Sequence, residues 1–249
     1  MEQFKLDLTN KTTLLAVGCS HMAGSEIEGP GYTGRSKTNT NKAWAGLVAK
    51  HFNLNYINLS VPGGSNEYIQ RTIVEFVSNW ISEKRDPTKL FVIAGWSTNE
   101  RMEFTWKGHH YHWANGADPQ AFLNTLLNDG PDFTNWFKAL QLYHTDFDFG
   151  FYKKIISIIT TNTFLKQYGV DHLQVSNCAK ITGDEFVHFG WEGLDQIFPE
   201  DNYFEKYNSF VDNYLESHSD HFTDWLHADE LVHSLYAKKL IQFLNEKQQ

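Results

Sequence analysis

The sequence predicts an α/β fold, a three-layer α/β/α sandwich around a short, mostly parallel sheet of about four or five strands. Two short apolar runs, Leu14 to Val17 and Leu90 to Ala94, have the length and character of strands covered on both faces. Amphipathic helical stretches alternate with the strand candidates, the pattern of parallel βαβ units. Each of the first three strand candidates ends in a polar turn, and open α/β sheets gather their ligands beyond the carboxyl ends of the strands.

Taken in order, Thr12 to Gly18 (TTLLAVG) is the first strand. Gly29 to Thr40 is a loop rich in Gly, Thr, Ser and Asn. Asn41 is placed to cap a helix with Trp44, Leu47, Val48 and Phe52 on one face. Tyr56 to Leu59 is a second strand, and Pro62-Gly63-Gly64 turns the chain. Ser65 or Asn66 then caps a helix with Ile69, Ile73, Phe76, Val77 and Trp80 on its apolar stripe. Asp86-Pro87 breaks it, and Leu90 to Gly95 is the third strand. From Arg101 to about Pro131 the periodicity is lost among aromatics and His. Phe133 to Tyr168 reads as helix in two pieces, broken near Asp146 to Gly150, and Val170 to Ser176 as a fourth strand. Lys180 to Ser219 is irregular, and Ser234 to Leu244 closes with a helix. No repeat or linker divides the chain, so residues 1–249 read as one domain with an aromatic-rich insertion at about 101–150.

Composition narrows the function. The chain has 249 residues, 41% of them hydrophobic, enough for a sizeable core. A formal charge of -9 disfavours a nucleic-acid binder with a broad basic face. The apolar runs are too short to span a bilayer, so no membrane insertion is expected. Met1 to Asn10 carries Glu2, Lys5 and Asp7 without an apolar stretch, which predicts a cytoplasmic product without a secretory signal. The two cysteines, Cys19 and Cys178, stand far apart in sequence and do not suggest a disulfide scaffold. Gly29 to Gly34 satisfies G-x-G-x-x-G literally, but a polar loop precedes it and Pro30 interrupts it, against a dinucleotide site. Nothing implies a cofactor. His109, His110 and His112 lack a carboxylate or Cys to complete a metal-ligand set, so no metal site is expected. Aromatic residues make up 15% of the chain. Those near His109, with Trp106 and Trp113 foremost, serve either core packing or stacking on sugar rings or acyl chains.

The strand-end turns carry the chemistry. They are Gly18-Cys19-Ser20-His21, Asn58 to Asn66 (NLSVPGGSN) and Ser97-Thr98-Asn99-Glu100. A serine nucleophile needs a base, usually His, and the base needs an orienting group. Among the 12 His, only His227 has an Asp three positions earlier, Asp224. Together these blocks resemble the SGNH (GDSL-type) hydrolases, a superfamily of esterases, lipases and carbohydrate deacetylases. Gly18-Cys19-Ser20 is similar to its Gly-Asp-Ser block, with Cys for Asp. The second block matches at Gly63 and the third at Asn99, with Ser97 for Gly and Glu100 for Asp. The last block, Asp-x-x-His-Pro, matches at Asp224 and His227, with Ala228 for Pro. His233, Tyr236, Ala237 and Leu240 fall in step with the pattern that follows.

The resemblance implies a flavodoxin-like SGNH-hydrolase fold with a sheet of about five strands. It implies Ser20 as nucleophile, His227 as base, Asp224 as its orienting acid, and Gly63 and Asn99 in the oxyanion hole. The substrate would be a small acyl ester or an O-acyl group on a carbohydrate, with Trp106 and Trp113 as binding residues. A non-catalytic binding or virion module, or an acyltransferase using the same residues, remains the alternative. The blocks also resemble SGNH-like proteins encoded by bacteriophages, and a phage-encoded member would be virion-associated.

Overall fold

The computed structural model describes residues 6–28, 37–106, 109–113, 147–178, 180–181, 186–187, 192–206, 208–224 and 226–248. Its strands are β1 (Thr13–Gly18), β2 (Asn55–Asn58), β3 (Leu90–Trp96), β4 (Met102–Trp106), β5 (His109–Trp113), β6 (Asp171–Ser176) and β7 (Tyr203–Phe204). Five of them form one sheet in the order β2-β1-β3-β6-β7, and every pairing is parallel. The register sets Gly18 beside Gly95 and Trp96 beside Ser176, so β1, β3 and β6 end on one common edge. β4 and β5 form a separate antiparallel hairpin.

Side chains on a strand alternate between the two faces, and the core divides accordingly. Leu14, Ala16, Phe91, Ile93, Leu173 and Val175 point to one face. There they meet α3 (Trp44–His51), α7 (Phe210–Leu215) and α8 (Glu230–Lys247). Leu15, Val17, Val92 and Ala94 point to the other, against α4 (Asn66–Ser82) and α5 (Phe147–Gln167). Two helical layers thus enclose one sheet, the expected three-layer sandwich. Each fully buried Leu, Ile or Phe contributes about 1.5–3 kcal/mol, and β1 and β3 are buried along their whole length. The other α-helices among the described residues are short: α1 (Ser20–Ala23), α2 (Lys37–Lys42) and α6 (Glu192–Gln196).

Capping explains where the longer helices begin. Ser65 accepts the Tyr68 N–H at 3.2 Å and opens α4. Asp229 accepts the Leu231 and Val232 N–H groups and opens α8, four residues earlier than the apolar pattern suggests. α3 is capped differently. Asn41 belongs to α2, and the first free amide of α3, Trp44 N–H, is taken by His233 Nδ1 at 3.2 Å. Several elements depart from the sequence expectation: α2 begins inside the expected loop 29–40, and α6 and α7 lie in the stretch 180–219 expected to be irregular. The fifth strand, β7, is only two residues long within a stretch expected to be irregular. The β4–β5 hairpin falls where periodicity is lost. The rest of the aromatic insertion, 114–146, lies outside the described residues. Among the described residues, no helix is long and apolar enough to cross a membrane.

Candidate active site

Three strand-end turns meet on the common edge. β1 runs directly into α1, which starts at Ser20 behind Cys19. Ser20 is buried, and its Oγ has no hydrogen-bond partner among the described residues. The second turn, Val61 to Gly64, closes with Gly64 N–H on Val61 O at 3.0 Å. Pro62 precedes Gly63, whose φ is +74°, the positive value that the third residue of a type II turn requires. Val61 N–H bonds Gly18 O at 3.1 Å and ties this turn to the end of β1. In the third turn Asn99 is buried, and its Oδ1 has no partner among the described residues. A Cβ on Gly150 would come within 2.4 Å of Asn99 O, so only Gly lets α5 approach that closely.

Asparagines lock these turns together. Asn58 donates to Met22 O at 3.1 Å and accepts Ser60 N–H at 2.9 Å, joining the second turn to α1. Asn66 accepts Ser97 N–H at 2.8 Å and donates to Thr98 O at 3.1 Å, holding the third turn against α4. Asn177 lies across the ends of β1 and β3 and donates to Gly95 O at 2.9 Å. A Cβ at Gly95 would sit 2.3 Å from Asn177 Nδ2, and one at Gly18 3.0 Å from it.

His227, the candidate base, comes from the far end of the chain. His227 ends a tight loop in which Leu226 takes φ +60° and Thr223 N–H bonds His227 O at 2.9 Å. His227 Nδ1 lies 2.9 Å from Glu26 Oε2, and Thr223 Oγ1 donates to the same oxygen at 2.7 Å. An ionised carboxylate only accepts, so Nδ1 is the donor in this contact. Glu26 is buried and has φ +60°, an uncommon conformation for a residue with a Cβ. The acid beside His227 is therefore Glu26 and not Asp224, which is exposed. An Asp-x-x-His spacing describes a local turn, whereas this partner is 201 positions away in sequence. The His227 ring stands edge-on to His21, with centroids 5.3 Å apart, which seats it beside α1. No hydrogen bond joins His227 to Ser20 Oγ. Catalytic contacts are commonly loose without substrate.

The other histidines here are structural or neutral. Burial pushes His233 down to about 3, which leaves its Nδ1 free to accept the Trp44 amide. Burial, reinforced by His227, Arg101 and His233, holds His21 well below the usual imidazole range.

The cysteines are the larger surprise. They are 159 positions apart in sequence, yet Cys19 Sγ and Cys178 Sγ lie 3.5 Å apart as free thiols, because β1 and β6 end on the same edge. A ring nitrogen of His21 joins them, and all three ligand atoms lie within 4.8 Å of one another. Burial raises the Cys19 thiol, but the Cys178 hydrogen bond and the Arg101 charge outweigh it and bring Cys19 down to about 5. The contact with Cys19, then burial, pushes Cys178 up. The sequence pattern singles out no metal-ligand set, and the fold brings these three potential ligand atoms together.

Trp106 and Trp113 lie in the hairpin, paired in register with His109 and Met102 respectively. A cavity of about 230 Å³ is lined by Ala23, Thr40, Asn58, Leu59, Ser60, Tyr68 and Thr72.

Comparison with known proteins adds little. A family of unknown function, DUF6071, matches residues 28–126, less than half of the chain. No curated protein matches. Similar solved structures include the psychrotrophic esterase EstA from Pseudoalteromonas sp., inhibited by monoethylphosphonate, at 13% identity and TM-score 0.48 over 94% of this chain and 100% of that one. A putative lipolytic protein of the G-D-S-L family from Desulfitobacterium hafniense is 12% identical, TM-score 0.44, over 93% and 99%. An acetyl xylan esterase, Est2A, from the rumen bacterium Butyrivibrio proteoclasticus is 16% identical, TM-score 0.43, over 95% of this chain and 64% of that one. Likeness this distant says nothing about what this chain acts on.

Proposed function

We propose that this chain is a serine hydrolase of ester bonds. The observation that carries the proposal is the hydrogen-bonded His227–Glu26 pair, docked beside the turn that presents Ser20 with an unpartnered Oγ. Ser20 Oγ attacks the ester carbonyl, His227 Nε2 takes its proton and returns it to the leaving alcohol, and water deprotonated by the same Nε2 then cleaves the acyl-serine, releasing the acid and restoring Ser20. Glu26 fixes the tautomer and stabilises the imidazolium, the part an Asp plays in the serine-protease arrangement. The Ser20 and Gly63 amides and the Asn99 side chain hold the oxyanion, where one lost donor costs on the order of 10²–10³ in rate. The substrate is a small acyl ester or an O-acyl group on a carbohydrate, and Trp106 and Trp113 help bind it.

A fluorophosphonate probe tests the assignment. Folded wild-type protein should label at Ser20, and Ser20→Ala and His227→Ala should not. A Ser20→Ala protein that hydrolyses p-nitrophenyl acetate at the wild-type rate rules the assignment out. Absence of labelling in folded wild type would favour a non-catalytic binding module on the same fold. Product analysis with an added alcohol acceptor separates hydrolase from acyltransferase.

A further inference from the structure

We propose that Cys19, His21 and Cys178 form a binding site for a thiophilic divalent cation of the zinc class, beside Ser20. Two thiols and an imidazole are the ligand types such a cation selects. The ligand atoms lie within 4.8 Å of one another before any ion is present. Two bonds of about 2.3 Å from one zinc to sulfurs 3.5 Å apart enclose an angle of about 99°, close to tetrahedral. His21 is 5% exposed, and its Nδ1 has no hydrogen-bond partner among the described residues. A buried polar atom left unpaired costs roughly 1–3 kcal/mol, and a ligand that used His21 would repay part of it.

The topology explains the preformed geometry. Cys19 and His21 flank Ser20 at the end of β1, and Cys178 follows β6 on the same edge. Asn177, next to Cys178, is fixed by its N–H on Trp96 O at 2.8 Å and by its side chain on Gly95. Arg101 supports the site electrostatically. Its guanidinium donates to Ser97 Oγ at 2.9 Å, and its charge acts on both thiols. Two thiolates, a neutral imidazole and a dication sum to zero charge, so Arg101 faces a sulfur and not a net positive centre. On binding, the cation displaces the thiol protons to solvent. Three protein ligands leave a fourth position open, and Ser20 Oγ, between two of the ligands in sequence and without a partner, stands nearest in the chain to fill it.

The proposal does not require Ser20 to be a nucleophile, and its test reads metal directly. The full chain is reduced, freed of reductant without air, and titrated with Co²⁺. Saturation at one equivalent is expected, with thiolate-to-cobalt charge-transfer absorption and the visible bands of tetrahedral cobalt, both abolished by Zn²⁺. Cys178→Ser and Cys19→Ser should each lose most of the charge-transfer band. His21→Asn should weaken binding on the order of tenfold or more. Circular dichroism checks that each variant folds, and the partly exposed Cys178 position is the one that carries the test if Cys19→Ser does not. Ser20→Ala should bind cobalt while losing fluorophosphonate labelling, so failure of the metal site and failure of the hydrolase assignment are distinguishable. No charge-transfer band in reduced wild type at excess Co²⁺, or a band undiminished by loss of Cys178, overturns the proposal. So does thiol titration showing that the pair only closes to a disulfide in air and takes no metal when reduced.

Discussion

Glu26→Gln isolates the charge beside His227 with almost no change in shape. Glu26 Oε2 receives two hydrogen bonds, from His227 Nδ1 at 2.9 Å and Thr223 Oγ1 at 2.7 Å. If Gln turns its amide oxygen to both donors, the tautomer survives and only the charge is lost. With charge centres about 4 Å apart and an effective dielectric constant of about 20, the lost attraction to the imidazolium is about 4 kcal/mol. At 1.36 kcal/mol per power of ten, that is roughly a thousandfold in kcat. If Gln presents its NH₂ instead, the wrong tautomer is favoured and the loss approaches about 10⁴. The assay is p-nitrophenyl acetate hydrolysis at pH 8, with a melting temperature to confirm folding. Asp224→Asn, at an exposed position, should stay within about twofold of wild type. Equal rates for wild type and Glu26→Gln, or a larger loss in Asp224→Asn, would refute the assignment of Glu26.

Three further outcomes are expected. Burial holds His172 down to about 4 and His233 to about 3, with His21 well below the usual range. The unfolded chain therefore binds more protons than the folded one once pH falls below about 6.5. Stability present above that value should decline by roughly 1.4 kcal/mol per pH unit per imidazole, until about pH 4. Urea unfolding at pH 7, 6 and 5 checks this, and a flat profile would contradict it. Gly95→Ala should cost about 1–3 kcal/mol, because its Cβ meets Asn177 Nδ2 and Met22 Cε. That corresponds to a fall of roughly 2–12 °C in melting temperature. Trp106→Ala and Trp113→Ala should raise KM for an acylated oligosaccharide while sparing Ser20 labelling by a small fluorophosphonate. Unchanged KM in both would assign the pair to packing alone.

The sandwich was readable from sequence because its central strands are buried on both faces. β1 and β3 present unbroken apolar runs, and the stripes of α4 and α8 are dictated by the faces they cover. β7 was not readable: two residues, Tyr203 and Phe204, carry too little pattern, and only pairing with β6 makes them a strand. The turns that bear Ser20, Gly63 and Asn99 stood out because Gly, Ser and Asn cluster where strands end. Glu26 did not, because nothing local marks it as the partner of a histidine at position 227. Thr223 is the added signal, since its hydroxyl bridges the loop to Glu26. The cysteine pair escaped for the same reason, as neither residue shows its neighbour until the β1-β3-β6 order is known.

Glu26 lies six positions after Ser20, on the segment that leaves β1, while His227 arrives with the Thr223 loop. Two of the three proposed groups therefore share one local unit, and the third is delivered by long-range docking. That makes the site an intrinsic reporter of assembly order. During refolding, labelling of Ser20 should lag the recovery of helical signal, appearing only when the carboxyl-terminal segment closes onto Glu26. A local opening of that segment alone should abolish Ser20 labelling while leaving the sheet intact.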